Sequence, residues 1–299
     1  MIGGRTVVDV HVHAPRLSTL RPAWLDWADT FSRDHDWRSA YRENGDPEPA
    51  ALDALFAEQG VDHVMLFSEY SPRATGIQPF DDLLPLVQHN PQRFHPVANI
   101  NPHLHFPLVG ELQRQVDLGA VALKLHPVHA GFDPGDRELF PVYAKCAELG
   151  IPVIYHSGTS SFPGSRNKYG NPELYLDAID CFPEVNFVFA HGGRGWWYEA
   201  AAFLVQAKPN VWIDLAGLPP KKLPDYYGAS LPRIASKMLF GTDWPGVPGP
   251  RTNVDALGRL GFDEATLAAV VAGNASRVFP RAGITLETST STRKETTDE

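Results

Sequence analysis

The chain has 299 residues, of which 43% are hydrophobic and 20% charged, and 26 Lys and Arg against 35 Asp and Glu give a formal charge of −9. This composition excludes a disordered chain, and an acidic balance with no Lys/Arg block argues against nucleic-acid binding as the main role. No apolar run approaches the roughly 18 residues of a membrane span, and Met1 to Arg5 lead directly into a strand pattern without a signal-like apolar core, so a cytoplasmic protein that does not enter the membrane is expected.

Eight short apolar runs read as strands. In chain order they are Thr6 to Val12, Val61 to Phe67, Phe94 to Ile100, Ala120 to Leu125, Ile151 to Tyr155, Val185 to Ala190, Val211 to Leu215 and Lys237 to Gly241. Continuous apolar runs of this length suit parallel strands covered on both faces. Helical patterns lie between them: Pro49 to Gln59, Phe80 to His89, Pro107 to Leu118, Asp136 to Leu149, Pro172 to Cys181 and Trp196 to Ala207. Several stop at a glycine, as at Gly60, Gly119 and Gly150. Eight strand-helix units over about 280 residues predict a single (β/α)₈ TIM barrel. The competing doubly wound sheet lacks its Gly-rich fingerprint after the first strand.

Two regions leave the repeat. Residues 14–46 insert after the first strand and hold Trp24, Trp27, Phe31, Trp37 and Tyr41. The insert reads equally as a lid or homodimer contact over the barrel mouth and as a satellite core. Residues 287–299 are Ser/Thr-rich and aperiodic and read as a disordered tail beyond a domain of residues 1–286. The two cysteines, Cys146 and Cys181, are too few for a disulfide framework and read as buried apolar thiols in helices.

Histidine is the loudest signal, with 12 copies. The first strand ends Asp9-Val10-His11-Val12-His13, and side chains two apart leave a strand on one face. Asp9 reads as a supporting or structural residue one step deeper. The fifth strand ends in His156, the sixth in His191, and Asp243 follows the eighth; the fourth carries Lys124 and His126, and the seventh Asp214. In a closed barrel these ends converge. Three histidines and a carboxylate suit Zn²⁺ or another divalent transition ion.

The ordered set DxHxH, KLHP, PVIYH, HGG, FGTDWP and GNASRVF resembles the amidohydrolase superfamily, and within it the branch that includes aminocarboxymuconate-semialdehyde decarboxylase. The resemblance runs from Val7 to about Phe279. It implies His11, His13, His156 and Asp243 as metal ligands, Zn²⁺ first with Mn²⁺, Fe²⁺ or Co²⁺ as alternatives. It implies Asp243 as proton acceptor and His191 as the residue that activates water or holds substrate. In binuclear members a lysine at the fourth strand is carbamylated and bridges two metals; here Lys124 reads as an unmodified polar residue of the site and a substrate contact, with metal bridging or pairing to Asp243 or Asp214 as alternatives. KLHP departs from the decarboxylase branch, so the first expectation is a metal-dependent hydrolase of a small carboxylated or cyclic molecule. The alternative is a non-oxidative decarboxylase of an aromatic or muconate-type acid. His126 reads as structural. Arg194 is the foremost carboxylate clamp among Arg73, Arg166, Lys168 and Arg194. Trp244, with Trp196 and Trp197, reads as a wall for a flat substrate.

Overall fold

The computed structural model describes residues 1–32 and 34–286. Its main sheet has eight parallel strands in sequential order: β1 (Val8–Val12), β2 (His63–Phe67), β3 (Phe94–Asn99), β4 (Leu123–Leu125), β5 (Val153–Gly158), β6 (Phe187–Arg194), β7 (Val211–Asp214) and β8 (Met238–Leu239). The edges meet. Val10 N–H donates to the Phe240 carbonyl at 3.0 Å, and Val12 forms a bridge with Trp244. The sheet is therefore a TIM barrel, as the eight apolar runs predict. The sequence-assigned tail, 287–299, lies outside the described residues.

Alternation along each strand divides the apolar side chains between two layers. Val153, Tyr155, Phe187, Phe189, Val211 and Ile213 pack outward into one core with the helices. Val8, Met65, Val97, Ile154, Val188, Trp212 and Leu239 form a second core, joined by Ala272, Ala275, Val278 and Phe279 from the last helical segment. The apolar interior thus fills the lower barrel and leaves polar residues for the mouth.

The helices follow the expected pattern with tighter starts. Phe80–Leu83, Arg137–Leu139 and Pro172–Tyr175 open as 3₁₀ turns before the α-helices Leu84–His89, Phe140–Leu149 and Leu176–Cys181. Phe140–Leu149 ends on Gly150, left-handed at φ 64°, where a glycine carries no Cβ penalty. Cys146 is buried, but Cys181, the last residue of its helix, is exposed; the expectation of two buried thiols is corrected for that end.

The insert forms helix Pro22–Phe31 and a 3₁₀ turn, Trp37–Ala40. Trp24 and Trp37 are buried in it, with ring centroids 6.3 Å apart. Trp24, Trp27 and Phe31 also line the barrel mouth. One helix thus contributes both to a satellite core and to the lining of the cavity. A short antiparallel hairpin, Glu69–Ser71 with Gly76–Gln78, follows β2 and has no counterpart in the sequence reading.

Candidate active site

The mouth holds a cavity of about 590 Å³. His11, His13, His156, His191, Arg194 and Asp243 line one part of it, and Glu69, His126 and His129 another. Trp24, Trp27, Phe31 and Phe162 supply aromatic wall.

β1 delivers its two histidines together. Its register shifts between Asp9 and Val12, so the strand does not alternate strictly. His11 and His13 nevertheless both face Phe67, at ring-centroid distances of 4.4 and 5.5 Å. Asp9 is fully buried and accepts from Thr242 N–H at 2.9 Å and Thr242 Oγ1 at 2.7 Å. It ties β1 to the loop that carries Asp243.

Asp243 and His191 are the non-glycine residues with positive φ among those described, at 74° and 67°. Each such conformation costs about 1–3 kcal/mol and persists only where surrounding structure fixes it. Gly217, at φ 66°, makes room beside them. A Cβ there would stand 2.9 Å from Asp243 Oδ2 and 2.6 Å from Arg194 Nη1.

The geometry around Asp243 is that of a ligand set. Its Oδ1 lies 3.4 Å from His11 Nε2 and 3.4 Å from His13 Nε2. Ligands about 2.0–2.1 Å from a tetrahedral ion stand about 3.3–3.4 Å apart. His11 Nε2 and His156 Nε2 are buried without a hydrogen-bond partner. The opposite nitrogen of His11, Nδ1, meets Asp214 Oδ2 at 2.5 Å, which puts the proton on Nδ1 and leaves Nε2 bare. His191 Nδ1 donates to the Ala216 carbonyl at 2.8 Å and likewise keeps Nε2 free. By distance, the ligand atoms of His11, His191 and Asp243 lie close enough to hold one metal ion, whereas that of His156 groups with those of His126 and His129.

Electrostatics agree. Burial holds His11, His156 and His191 well below the usual imidazole range, reinforced by Lys124 for His11, by His191 for His156 and by Arg194 for His191. Neutral imidazole is the ligating form. Burial pushes Asp243 upward, but the facing His13 and His11 outweigh it and hold the carboxyl well below its ordinary value.

Arg194 Nη1 lies 3.9 Å from Asp243 Oδ2, and its Nη2 donates to the Thr159 carbonyl at 3.2 Å. It lines the cavity. The other sequence-assigned contacts are placed differently. Lys124 is fully buried, with Nζ unpartnered and 4.8 Å from the Phe67 ring centre. Trp244 is fully buried behind the site, donating from Nε1 to His35 Nε2 at 2.8 Å. Neither is part of the cavity wall. Trp196 points outward, 69% exposed. Arg73 and Arg166 line a smaller, separate surface pocket.

Sequence reasoning missed Glu69 and His129. Glu69 sits on the unforeseen hairpin, and His129 on a single helical turn, Pro127–Ala130. The HPVH spacing, a histidine three residues after His126, was the available signal.

Among the described residues no helix is long and apolar enough to cross a membrane. The fold has wide company among solved structures. One is an uncharacterised TIM-barrel protein from Bordetella bronchiseptica, 24% identical over 93% of this chain and 100% of that one, with a TM-score of 0.75. Another is 2,6-dihydroxybenzoate decarboxylase from Rhizobium, 18% identical over 92% and 99%, TM-score 0.66. A third is a probable 2-pyrone-4,6-dicarboxylic acid hydrolase from Acinetobacter baumannii, 15% identical over 92% and 99%, TM-score 0.63. At these identities the likeness is one of fold. The sequence itself matches the family model described as Amidohydrolase over residues 8–281, a span that holds every barrel strand and both ends of the His11–Asp243 constellation, and the chain belongs to that family.

Proposed function

We propose that the protein is a metal-dependent hydrolase acting on a small carboxylated or cyclic substrate at an amide, lactone or ester bond. The observation that carries this reading is Asp243 Oδ1 standing 3.4 Å from both His11 Nε2 and His13 Nε2. His11, His13, His156 and Asp243 would hold the ion, with Zn²⁺ first among the candidates for this donor set. Such an ion supplies a Lewis acid and lowers the pKa of water to about 7.

The chain's own residues do the rest. The second oxygen of Asp243, Oδ2, is free to take the proton of an attacking water. His191 Nε2, bare because Nδ1 is committed to Ala216, orients that water or steadies the developing oxyanion. The Arg194 guanidinium clamps a substrate carboxylate next to them. The aromatic wall of Trp24, Trp27, Phe31 and Phe162 excludes water from the flat face of the substrate.

That same wall favours a second reading, non-oxidative decarboxylation of an aromatic or muconate-type acid. One assay separates the two. Purified protein is incubated with panels of lactones, amides and aromatic acids while bicarbonate release and ring opening are followed together. Product gaining one water, with no bicarbonate, supports hydrolysis. Bicarbonate released in step with substrate loss, without addition of water, sinks it in favour of the second reading.

A further inference from the structure

The cavity has a second polar wall that the proposed reaction does not use. Glu69, His126 and His129 come from the hairpin after β2 and from the turn after β4, and all three are buried and line the cavity. His126 Nε2 lies 3.3 Å from Glu69 Oε2, and His129 Nδ1 lies 3.6 Å from Glu69 Oε1. Neither approach is a hydrogen bond. Glu69 Oε1, both ring nitrogens of His126 and His129 Nδ1 are left buried without partners.

A simple ion pair does not account for this. The approaches of 3.3 and 3.6 Å satisfy none of these four atoms as hydrogen bonds, so the carboxylate and the two rings face one another with unspent donors and acceptors. His126 Nε2 and Glu69 Oε2, at 3.3 Å, stand at the spacing that ligands adopt around a shared ion, about 3.3–3.4 Å for tetrahedral arms of 2.0–2.1 Å, and His129 Nδ1 faces the other carboxylate oxygen at 3.6 Å. The far side of His129 is prepared for ligation too. Its Nε2 is held 3.0 Å from Ser160 Oγ, an outer bond that fixes the orientation of the ring. Ser160 itself is oriented by Ser165 Oγ at 3.2 Å.

We infer that Glu69, His126 and His129 form a second cation site, which takes a divalent first-row transition ion and leaves a coordination position open to the cavity. Two imidazoles and one carboxylate suit Zn²⁺, Fe²⁺, Mn²⁺ or Co²⁺ rather than Ca²⁺ or Mg²⁺. The site is held without Lys124. His156 adjoins it: its ring centre is 4.5 Å from those of both His129 and His191, and its ligand atom lies within 4.8 Å of those of His126 and His129. The inference rests on Glu69, His126 and His129 alone, which share no carboxylate with the His11–His13–Asp243 reading, while His156 adjoins both sets.

The test is metal stoichiometry on the full chain, stripped with chelator, dialysed and titrated with Zn²⁺ by calorimetry, then with Co²⁺ by visible absorption. The wild type is expected to bind two ions. Glu69→Gln with His129→Ala should bind one, and His11→Ala with His13→Ala should also keep one. Circular dichroism and thermal melting verify folding. If the Glu69/His129 variant does not fold, Ser160→Ala decides, with the second ion weakened about 10–100-fold and the first unchanged. One ion in the wild type and none in His11→Ala/His13→Ala overturns this site while leaving the proposed function intact. Two ions that survive Glu69→Gln/His129→Ala, or a titration that Ser160→Ala leaves unmoved, also overturn it. An ion that is kept by His11→Ala/His13→Ala and lost from the Glu69/His129 variant supports this site whatever becomes of the first.

Discussion

The two ends of the barrel use the same residue type in opposite ways. At the closed end, His63 opens β2 and His95 is the second residue of β3. Their Nδ1 and Nε2 meet at 3.0 Å, and their rings stack 5.3 Å apart at 24°. Each satisfies a ring nitrogen of the other. At the mouth, His11, His126, His129 and His156 keep ring nitrogens buried and unpartnered. Leaving a buried polar atom unpaired costs about 1–3 kcal/mol. A fold that leaves several histidine ring nitrogens unspent at one end and pairs them at the other has reserved that end for a ligand. Burial and residue type do not separate a structural histidine from a ligating one; the unspent nitrogen does.

The contrast breaks first at β1. His11→Ala with His13→Ala should remove the ion held by Asp243 and reduce activity below detection, while the barrel still folds. Metal analysis with circular dichroism checks it, and full retention of that ion would refute the ligand set. Asp243→Asn comes next. It keeps the side-chain shape at the left-handed position but cannot take up a proton, so kcat should fall about 10²–10⁴-fold. A steady-state rate within a few-fold of wild type would remove Asp243 from proton transfer.

The closed end should answer to pH rather than to metal. Burial, with His63 adding to it, pushes His95 down from 6.5 to about 4. The unfolded chain therefore binds a proton between pH 6.5 and 4 that the folded chain refuses. Stability from this residue is fully present above pH 6.5 and is lost as pH falls through that window, by at most about 3 kcal/mol at ~1.4 kcal/mol per pKa unit. His95→Gln should flatten that limb in urea denaturation at stepped pH, with chelator present throughout. Equal slopes for wild type and variant would mean that His95 is protonated in the fold.

The barrel and the Asp243 constellation were legible because both follow from strand ends. Each of the eight apolar runs became a strand, and position at or just beyond a strand end brings His11, His13, His156, His191 and Asp243 to one opening. What stayed hidden depends on turns. Glu69 reaches the cavity only because a hairpin folds back after β2, and nothing in its neighbours marks it. Trp244 follows Asp243 directly, yet its bridge to Val12 and its bond to His35 carry the indole behind the barrel wall. Lys124 alternates inward as read, but the apolar Phe67 ring lies against its amine below the cavity floor. Sequence spacing gives direction along a strand; it does not give depth.

Asp214 joins the two behaviours, since at the mouth it satisfies one nitrogen of His11 so that the other stays bare. Its Oδ1 accepts from Ala216 N–H at 2.8 Å and its Oδ2 from His11 Nδ1–H. Both oxygens act as acceptors, and an asparagine offers only one. In Asp214→Asn the amide oxygen must stay with Ala216, because a backbone N–H cannot reverse its role. The amide NH₂ then faces His11 Nδ1, which must give up its proton to accept the bond. The proton moves to Nε2, the nitrogen that stands 3.4 Å from Asp243 Oδ1, and a protonated Nε2 cannot ligate. The affinity for the ion at Asp243 should therefore fall about 10–100-fold with the fold intact. Competition with a chromophoric chelator measures it, and an unchanged affinity would show that the His11 tautomer is set by something other than Asp214.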